Sequence, residues 1–257
     1  MKPVIARNLV IGEGAPKTIV SLMDATVDQA IQTGKLAIAS GADCLEWRAD
    51  FCANVTDIAA MEADAQALRS ALPDTPLLFT FRSADQGGQM ELPFDQYFDL
   101  TEAMINTGAF DLVDVESRTG DERVSALTDL ARKKNVASVV SHHDFEKTPS
   151  KGWMVGEMQH MLEMGADIPK IAVMAISAAD TLDLLSATEE MQRLHGDAPL
   201  ITMAMGRWGA LSRLTGEVFG SAMTFCALKA ASAPGQVDLA LARSIMSGIH
   251  HIHSNQS

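Results

Sequence analysis

Val136-Ala-Ser-Val-Val-Ser141, Lys151-Gly-Trp-Met-Val-Gly-Glu-Met-Gln-His-Met-Leu-Glu-Met164 and Lys170-Ile-Ala-Val-Met-Ala-Ile176 form the stretch whose reading decides the fold. The outer pieces are short, apolar and rich in β-branched residues. The middle piece carries apolar residues at every third or fourth position, the helical period. Two near-continuous apolar strands around a helix describe a parallel pair buried on both faces. The unit repeats outward in both directions. Strand-like runs recur at Thr18–Met23, Cys44–Arg48, Leu77–Arg82, Leu112–Glu116, Leu200–Met205 and Ala222–Leu228, separated by helical stretches such as Asp57–Leu72, Asp121–Lys134 and Asp180–Leu194. Eight strand candidates at roughly thirty-residue spacing fit an α/β protein of the (β/α)8, or TIM barrel, class better than an open sheet. Val4–Ile11 precedes the first unit and reads as a short hairpin closing the barrel floor. No linker or low-complexity block interrupts the chain, so residues 1–257 are expected to form one barrel domain.

Composition agrees. The chain has 257 residues, and this fold typically takes about 250. A net charge of −13 disfavours nucleic acid and anionic membrane as partners. Cys44, Cys52 and Cys226 are odd in number and lack zinc-like spacing, which fits a reducing compartment. No run reaches the ~18 apolar residues of a membrane span, and the N-terminus lacks a signal-peptide core. A soluble, cytoplasmic protein is expected.

In such a barrel the strand ends and the loops after them build the active site. Polar residues that interrupt or end the apolar runs are therefore its candidates: Ser21, Glu46, Arg48, Arg82, Glu116, His142, His143, Lys170 and Arg213. Glu46 and Arg48, two apart, share one strand face, whereas His142 and His143 point to opposite faces. Lys170 opens an apolar run, and two readings of it stand. A desolvated ammonium near arginines loses its proton more readily, and the free amine can attack a ketone. A lysine at the start of a strand can equally snorkel into solvent. His143 suits a general acid–base, or a structural hydrogen bond. Arg48, Arg82 and Arg213 suit a carboxylate clamp, or internal pairing with Glu46, Asp50 or Asp24. Met203, Met205 and Phe145 read as core or pocket wall. The segment from Met205 to Glu217 places glycines and arginines after the seventh strand, where an anion is often held in this fold. Neither a P-loop nor a dinucleotide fingerprint is present. His250, His251 and His253 lack a carboxylate or cysteine to complete a metal set and read as a frayed tail.

Several blocks in order carry a resemblance: Ala15-Pro-Lys-Thr-Ile-Val-Ser-Leu-Met23, Leu45-Glu-Trp-Arg48, Phe79-Thr-Phe-Arg-Ser83, His143-Asp-Phe145, Asp167-Ile-Pro-Lys170, Ser212-Arg213, Gly216-Glu-Val-Phe-Gly-Ser221 and Ala231-Ser-Ala-Pro-Gly-Gln236. Over nearly its whole length the chain resembles the type I 3-dehydroquinate dehydratases of the shikimate pathway. The resemblance implies a (β/α)8 barrel, a homodimer, an anionic small-molecule substrate, and no metal or organic cofactor. It implies that Lys170 forms an imine with 3-dehydroquinate and that His143 moves the protons. It implies that Arg213 holds the carboxylate, that Ser21, Glu46, Arg48, Arg82, Ser232 and Gln236 bind hydroxyls and ring, and that Met203, Met205 and Phe225 belong to the binding surface. Ser232–Gln236 would be a lid.

One position departs from the pattern. The family carries a glutamate that hydrogen-bonds the catalytic histidine, and Gln86 stands there instead. An amide brings no charge to stabilise imidazolium; its oxygen can still accept a bond from the imidazole, or its NH2 can face the ring and favour the wrong tautomer. Two alternatives stand: another Schiff-base barrel of the class I aldolase kind, which shares a barrel lysine, and, because of Gln86, a dehydratase-like protein that binds a metabolite without turnover.

Overall fold

The computed structural model describes residues 2–196 and 198–254. β1 (Val4–Ala6) and β2 (Leu9–Ile11) pair antiparallel as the expected hairpin. The next strands are β3 (Lys17–Leu22), β4 (Cys44–Arg48), β5 (Leu77–Thr80), β6 (Leu112–Glu116), β7 (Ala137–Asp144), β8 (Ile168–Met174), β9 (Ile201–Met205) and β10 (Met223–Ala227). They lie parallel in the order β10-β3-β4-β5-β6-β7-β8-β9. A parallel bridge between Leu200 and Ser221, with Ala222 N–H donating to Leu200 at 2.7 Å, closes the ring. That contact joins only the lower ends of β9 and β10. Higher up, the two-residue β11 (Val237–Asp238) takes the free edge of β10.

Helices follow the strands: α1 (Val27–Ala39), α2 (Ile58–Ala71), α3 (Phe94–Thr107), α4 (Asp121–Lys133), α5 (Lys151–Glu163), α6 (Ala178–Leu194), α7 (Ala210–Leu214), α8 (Gly216–Phe219) and α9 (Leu239–Ser254). Their starts are locally encoded. Ser177 and Asp180 form a capping box at α6, and Asp57 and Ser150 accept from the first turns of α2 and α5.

Strand alternation sorts the apolar residues into two cores. Leu45, Trp47, Phe79, Val113, Val140 and Val173 point outward into the layer beneath the helices. Ile19, Cys44, Leu78, Leu112, Val139, Ile168, Ile201 and Met223 point inward near the strand starts. Ala6 and Ile11 of the hairpin join this inner cluster, so the hairpin plugs the barrel floor.

Three expectations change. β8 begins at Ile168, two residues earlier than the apolar run, because Pro169 is tolerated near the start of a strand. Lys170 therefore lies within the strand and does not snorkel outward. β5 ends at Thr80, which puts Arg82 two residues past its strand. The C-terminal histidines are not frayed: α9 buries Leu239, Ala242 and Met246, and His250 meets Glu217 at 2.7 Å. Among the described residues, no helix is long and apolar enough to cross a membrane.

Candidate active site

Two residues above the apolar floor, the same inward face turns polar on β4 to β8, while β9 and β10 stay apolar through Met203 and Phe225. Cys44 gives way to Glu46 and then Arg48, Leu78 to Thr80 and Arg82, Leu112 to Asp114 and Glu116. Val139 gives way to Ser141 and His143, and Ile168 to Lys170. The period of two delivers this set to one mouth. Around it lies a cavity lined by Glu46, Arg48, Arg82, Gln86, His143, Lys170, Met203, Met205, Arg213, Phe225, Ser232 and Gln236, with Phe145 in its wall. Ser21 is outside this lining and reaches it through Glu46 at 2.5 Å and Ser232 at 3.2 Å.

Lys170 Nζ donates to Asp114 Oδ2 at 3.1 Å and lies 4.6 Å from the centre of the Phe225 ring. Burial, opposed by Asp114 and reinforced by Arg82, holds its ammonium below the ordinary lysine range. Asp114 is the residue the sequence reading missed. It is buried, and its Oδ1 accepts from Arg82 at 2.7 Å and from Ser141 at 2.7 Å. Although burial would raise it, Arg82 and then Lys170 hold its carboxyl below the usual range. An aspartate inside a strand run, two residues after the floor residue Leu112, was the available signal.

The arginines divide. Arg48 forms a two-bond fork with Asp50, both at 2.7 Å. Arg82 bridges Asp114 and Glu116 at 2.7 and 2.8 Å. Among the described residues, no carboxylate pairs with Arg213. Its Nη1 meets Met203 Sδ at 3.5 Å, its Nη2 donates to the Pro234 carbonyl at 3.3 Å, and its buried Nε has no partner. Burial pushes it down to about 10, still cationic at neutral pH. The mouth thus holds four buried cations (Arg48, Arg82, Lys170, Arg213) and four buried carboxylates (Glu46, Asp50, Asp114, Glu116). Three arginines and a lysine in sequence look like a positive patch; in space only Arg213 is uncompensated.

His143 and His142 both lie on β7 and diverge as expected, His142 packing on Trp153 with ring centres 5.0 Å apart. Gln86 Oε1 accepts from the His143 backbone N–H at 2.9 Å and faces its Nδ1 at 3.2 Å. The backbone donor requires an oxygen at that place, so the amide oxygen faces the ring. Nδ1 then carries the proton and Nε2 keeps the lone pair. Of the two orientations open to Gln86, the structure has the one in which its oxygen accepts. That NH2 is buried without a partner. Burial, then Arg82 and Lys170, hold His143 well below the ordinary histidine range. Gly87 follows at φ +86°, and a Cβ there would stand 2.2 Å from the Phe145 ring.

Ser232–Gln236 covers the cavity. Gln236 Nε2 donates to Ser232 Oγ at 2.7 Å, and Ser232 N–H donates back to Gln236 Oε1 at 2.9 Å. Gly206, just past β9, donates to the Pro234 carbonyl at 3.1 Å. Gly235, at φ +79°, has no room for a Cβ, which would meet the Gly206 carbonyl at 2.4 Å. The segment thus spans the upper gap between β9 and β10.

The pattern of the type I 3-dehydroquinase family matches residues 18–253. The 3-dehydroquinate dehydratase of Salmonella typhimurium is 49% identical over 250 residues, covering 97% of this chain and 99% of that one. Among solved structures, the type I 3-dehydroquinate dehydratase of Clostridium difficile, with covalently modified comenic acid, superposes with a TM-score of 0.93 at 42% identity, covering 97% of this chain and 98% of that one. The 3-dehydroquinate dehydratase of Geobacillus kaustophilus gives 0.93 at 38% identity, with 97% of each chain covered. Matched along its sequence and in its backbone, the chain belongs to the type I 3-dehydroquinase family.

Proposed function

We propose that this protein, acting as one barrel domain, removes water from 3-dehydroquinate to give 3-dehydroshikimate through an imine on Lys170. The observation that carries the reading is a buried lysine, a neutral histidine and one unpaired arginine around one covered cavity. Arg213 takes the substrate carboxylate by a charge-assisted fork. The Lys170 amine bonds to the ketone carbon, and the carbonyl oxygen leaves as water. The resulting iminium withdraws electrons and acidifies the adjacent C2–H. His143 Nε2 takes that proton, the C–O bond to the C1 hydroxyl breaks, and the imidazolium returns the proton to the leaving oxygen. Hydrolysis of the imine frees the conjugated enone and the lysine. Glu46, Ser21, Ser232 and Gln236 orient the hydroxyls, and the lid keeps bulk water from the iminium.

The three buried, free cysteines suit a cytoplasmic setting. A homodimer is part of the same reading, and exposed apolar side chains such as Ile176, Leu182 and Leu211 are of the kind a second copy covers. The test is direct. With 3-dehydroquinate the purified protein is expected to generate the ultraviolet absorbance of the enone, and borohydride to leave a reduced adduct on Lys170 by mass. Enone formation without an adduct would remove the imine; neither signal with saturating substrate would remove the dehydratase reading.

A further inference from the structure

Lys170 has a partner of its own. Its ammonium is buried, and the carboxylate that meets it, Asp114, is fixed from its other side by Arg82 and Ser141, both at 2.7 Å. Asp114 is thereby held rigidly on β6, two strands away from β8 in the ring. The Phe225 ring, 4.6 Å from Nζ, bounds the amine on another side. Little is left free in such a site except the direction in which Nζ opens into the cavity.

Imine formation makes a specific demand on this arrangement. Starting from the ammonium, Nζ first gives up a proton, its freed lone pair bonds to the carbonyl carbon, and that proton and a second one leave with the carbonyl oxygen as water. The product keeps one N–H and one positive charge. The counter-ion is thus needed equally before and after the step, and the single remaining N–H has one hydrogen-bond partner to choose. A bond to Asp114 Oδ2 would fix the plane of the C=N bond and so the face from which C2–H meets His143.

We propose that Asp114 is a positioning residue for the reaction, holding Nζ of Lys170 in its attacking orientation and then serving as hydrogen-bond partner and counter-ion of the iminium. This rests on the imine reading above. The other charged groups that bear on Lys170 are Arg82, Glu46 and His143. None of them takes over the hydrogen bond, since Glu46 is engaged by Ser21 and Thr80, Arg82 is only a donor, and the Nε2 lone pair of neutral His143 is the base for C2–H.

The experiment follows the borohydride-trapping rate at Lys170 against pH, with 3-dehydroquinate, in the wild type, Asp114→Asn and Asp114→Glu, alongside thermal unfolding and kcat. A nearby opposite charge moves a titration by about 1–3 units. Asp114→Asn is therefore expected to shift the acid limb of trapping down by about that much while kcat falls at least about tenfold. Asp114→Glu keeps the charge but misplaces it, so its limb stays near that of the wild type and its trapping slows. A purely structural role would lower thermal stability without moving the limb. A folded Asp114→Asn protein with the wild-type limb and kcat would overturn the proposal; should that variant not fold, wild-type trapping by Asp114→Glu would do so. No adduct in the wild type would overturn the imine reading itself, an outcome distinct from an adduct whose pH dependence ignores Asp114.

Discussion

The floor and the mouth of the barrel are built by the same strands and differ by a single step of the β period. On β8 the step runs from Ile168 to Lys170, on β6 from Leu112 to Asp114, on β4 from Cys44 to Glu46. Both halves are buried, yet they do opposite things. The floor removes apolar surface from water and stabilises the fold. The mouth keeps four cations and four carboxylates out of water, which costs stability unless each is paired. Pairing is complete for Arg48, Arg82 and Lys170, and incomplete for Arg213 among the described residues. Position along a strand thus separates what holds the protein together from what it does.

Crossing that boundary by mutation gives the largest effects. Lys170→Met is expected to lower kcat on the order of 10⁴-fold or more, as removal of a nucleophile does. Its stability should fall by less than the about 3–5 kcal/mol that breaking a buried ion pair costs, because Asp114 keeps Arg82 and Ser141. Ile11→Ala, in the hairpin plug, should do the reverse: a loss of about 2–5 kcal/mol with turnover at 25 °C nearly unchanged. Chemical denaturation and steady-state kinetics on both variants check the pair. A Lys170→Met protein as unstable as Ile11→Ala would break the division between floor and mouth.

The next effect lies within the mouth. Gln86 sets the tautomer of His143 but supplies no charge. Gln86→Glu is expected to raise the titration of His143 and increase turnover by about tenfold, well below the 10⁴-fold span that the analogous carboxylate-to-amide change covers in a serine protease. Stability carries the same signature. His143 is held neutral in the fold while the unfolded chain titrates near 6.5, so between these values the unfolded chain binds more protons. Stability is therefore full above about pH 6.5 and falls as pH drops through it. Raising the folded-state value with Glu should lessen that acid loss. Unfolding at pH 5 and 7.5, with a pH–rate profile of both forms, measures it. Equal rates and equal apparent pKa values would remove any functional weight from position 86.

These contrasts also show what the sequence made legible. The floor was readable, since eight apolar runs of near-constant spacing have few other solutions, and the hairpin that plugs it stood ahead of the first unit. Lys170 was readable as an exception in an apolar run, but its height in the barrel was not, because Pro169 hid the true start of β8. The arginines were readable as residues and misleading as a sum. Arg48 finds Asp50 only two residues on, whereas the partners of Arg82, Asp114 and Glu116, lie on β6, and the pairing of β5 with β6 brings Arg82 within 2.8 Å of both. Asp114 interrupts its run as Glu46 does, yet the reading of that strand rested on Glu116 at its end. The side of Gln86 that faces His143 depends on a backbone N–H of β7, which no residue pattern encodes.

The lid offers the finest distinction, since it is the part of the site that the barrel does not hold from below. Ser232 is clasped by Gln236 and touches Ser21, while Pro234 is fixed separately by Gly206 and Arg213. Removing the Ser232 hydroxyl breaks the first set of contacts and leaves the second. A neutral hydrogen bond is worth about 0.5–1.5 kcal/mol, so Ser232→Ala should raise KM by about two- to twelvefold. kcat should hold, because neither Lys170 nor His143 loses a contact. Were kcat to fall while KM stayed constant, Ser232 would be acting in the transition state, and the lid would join the mouth as part of the chemistry. The expected pattern, KM alone, places it as a cover whose hydroxyl helps to retain substrate over a site already assembled by the strands beneath.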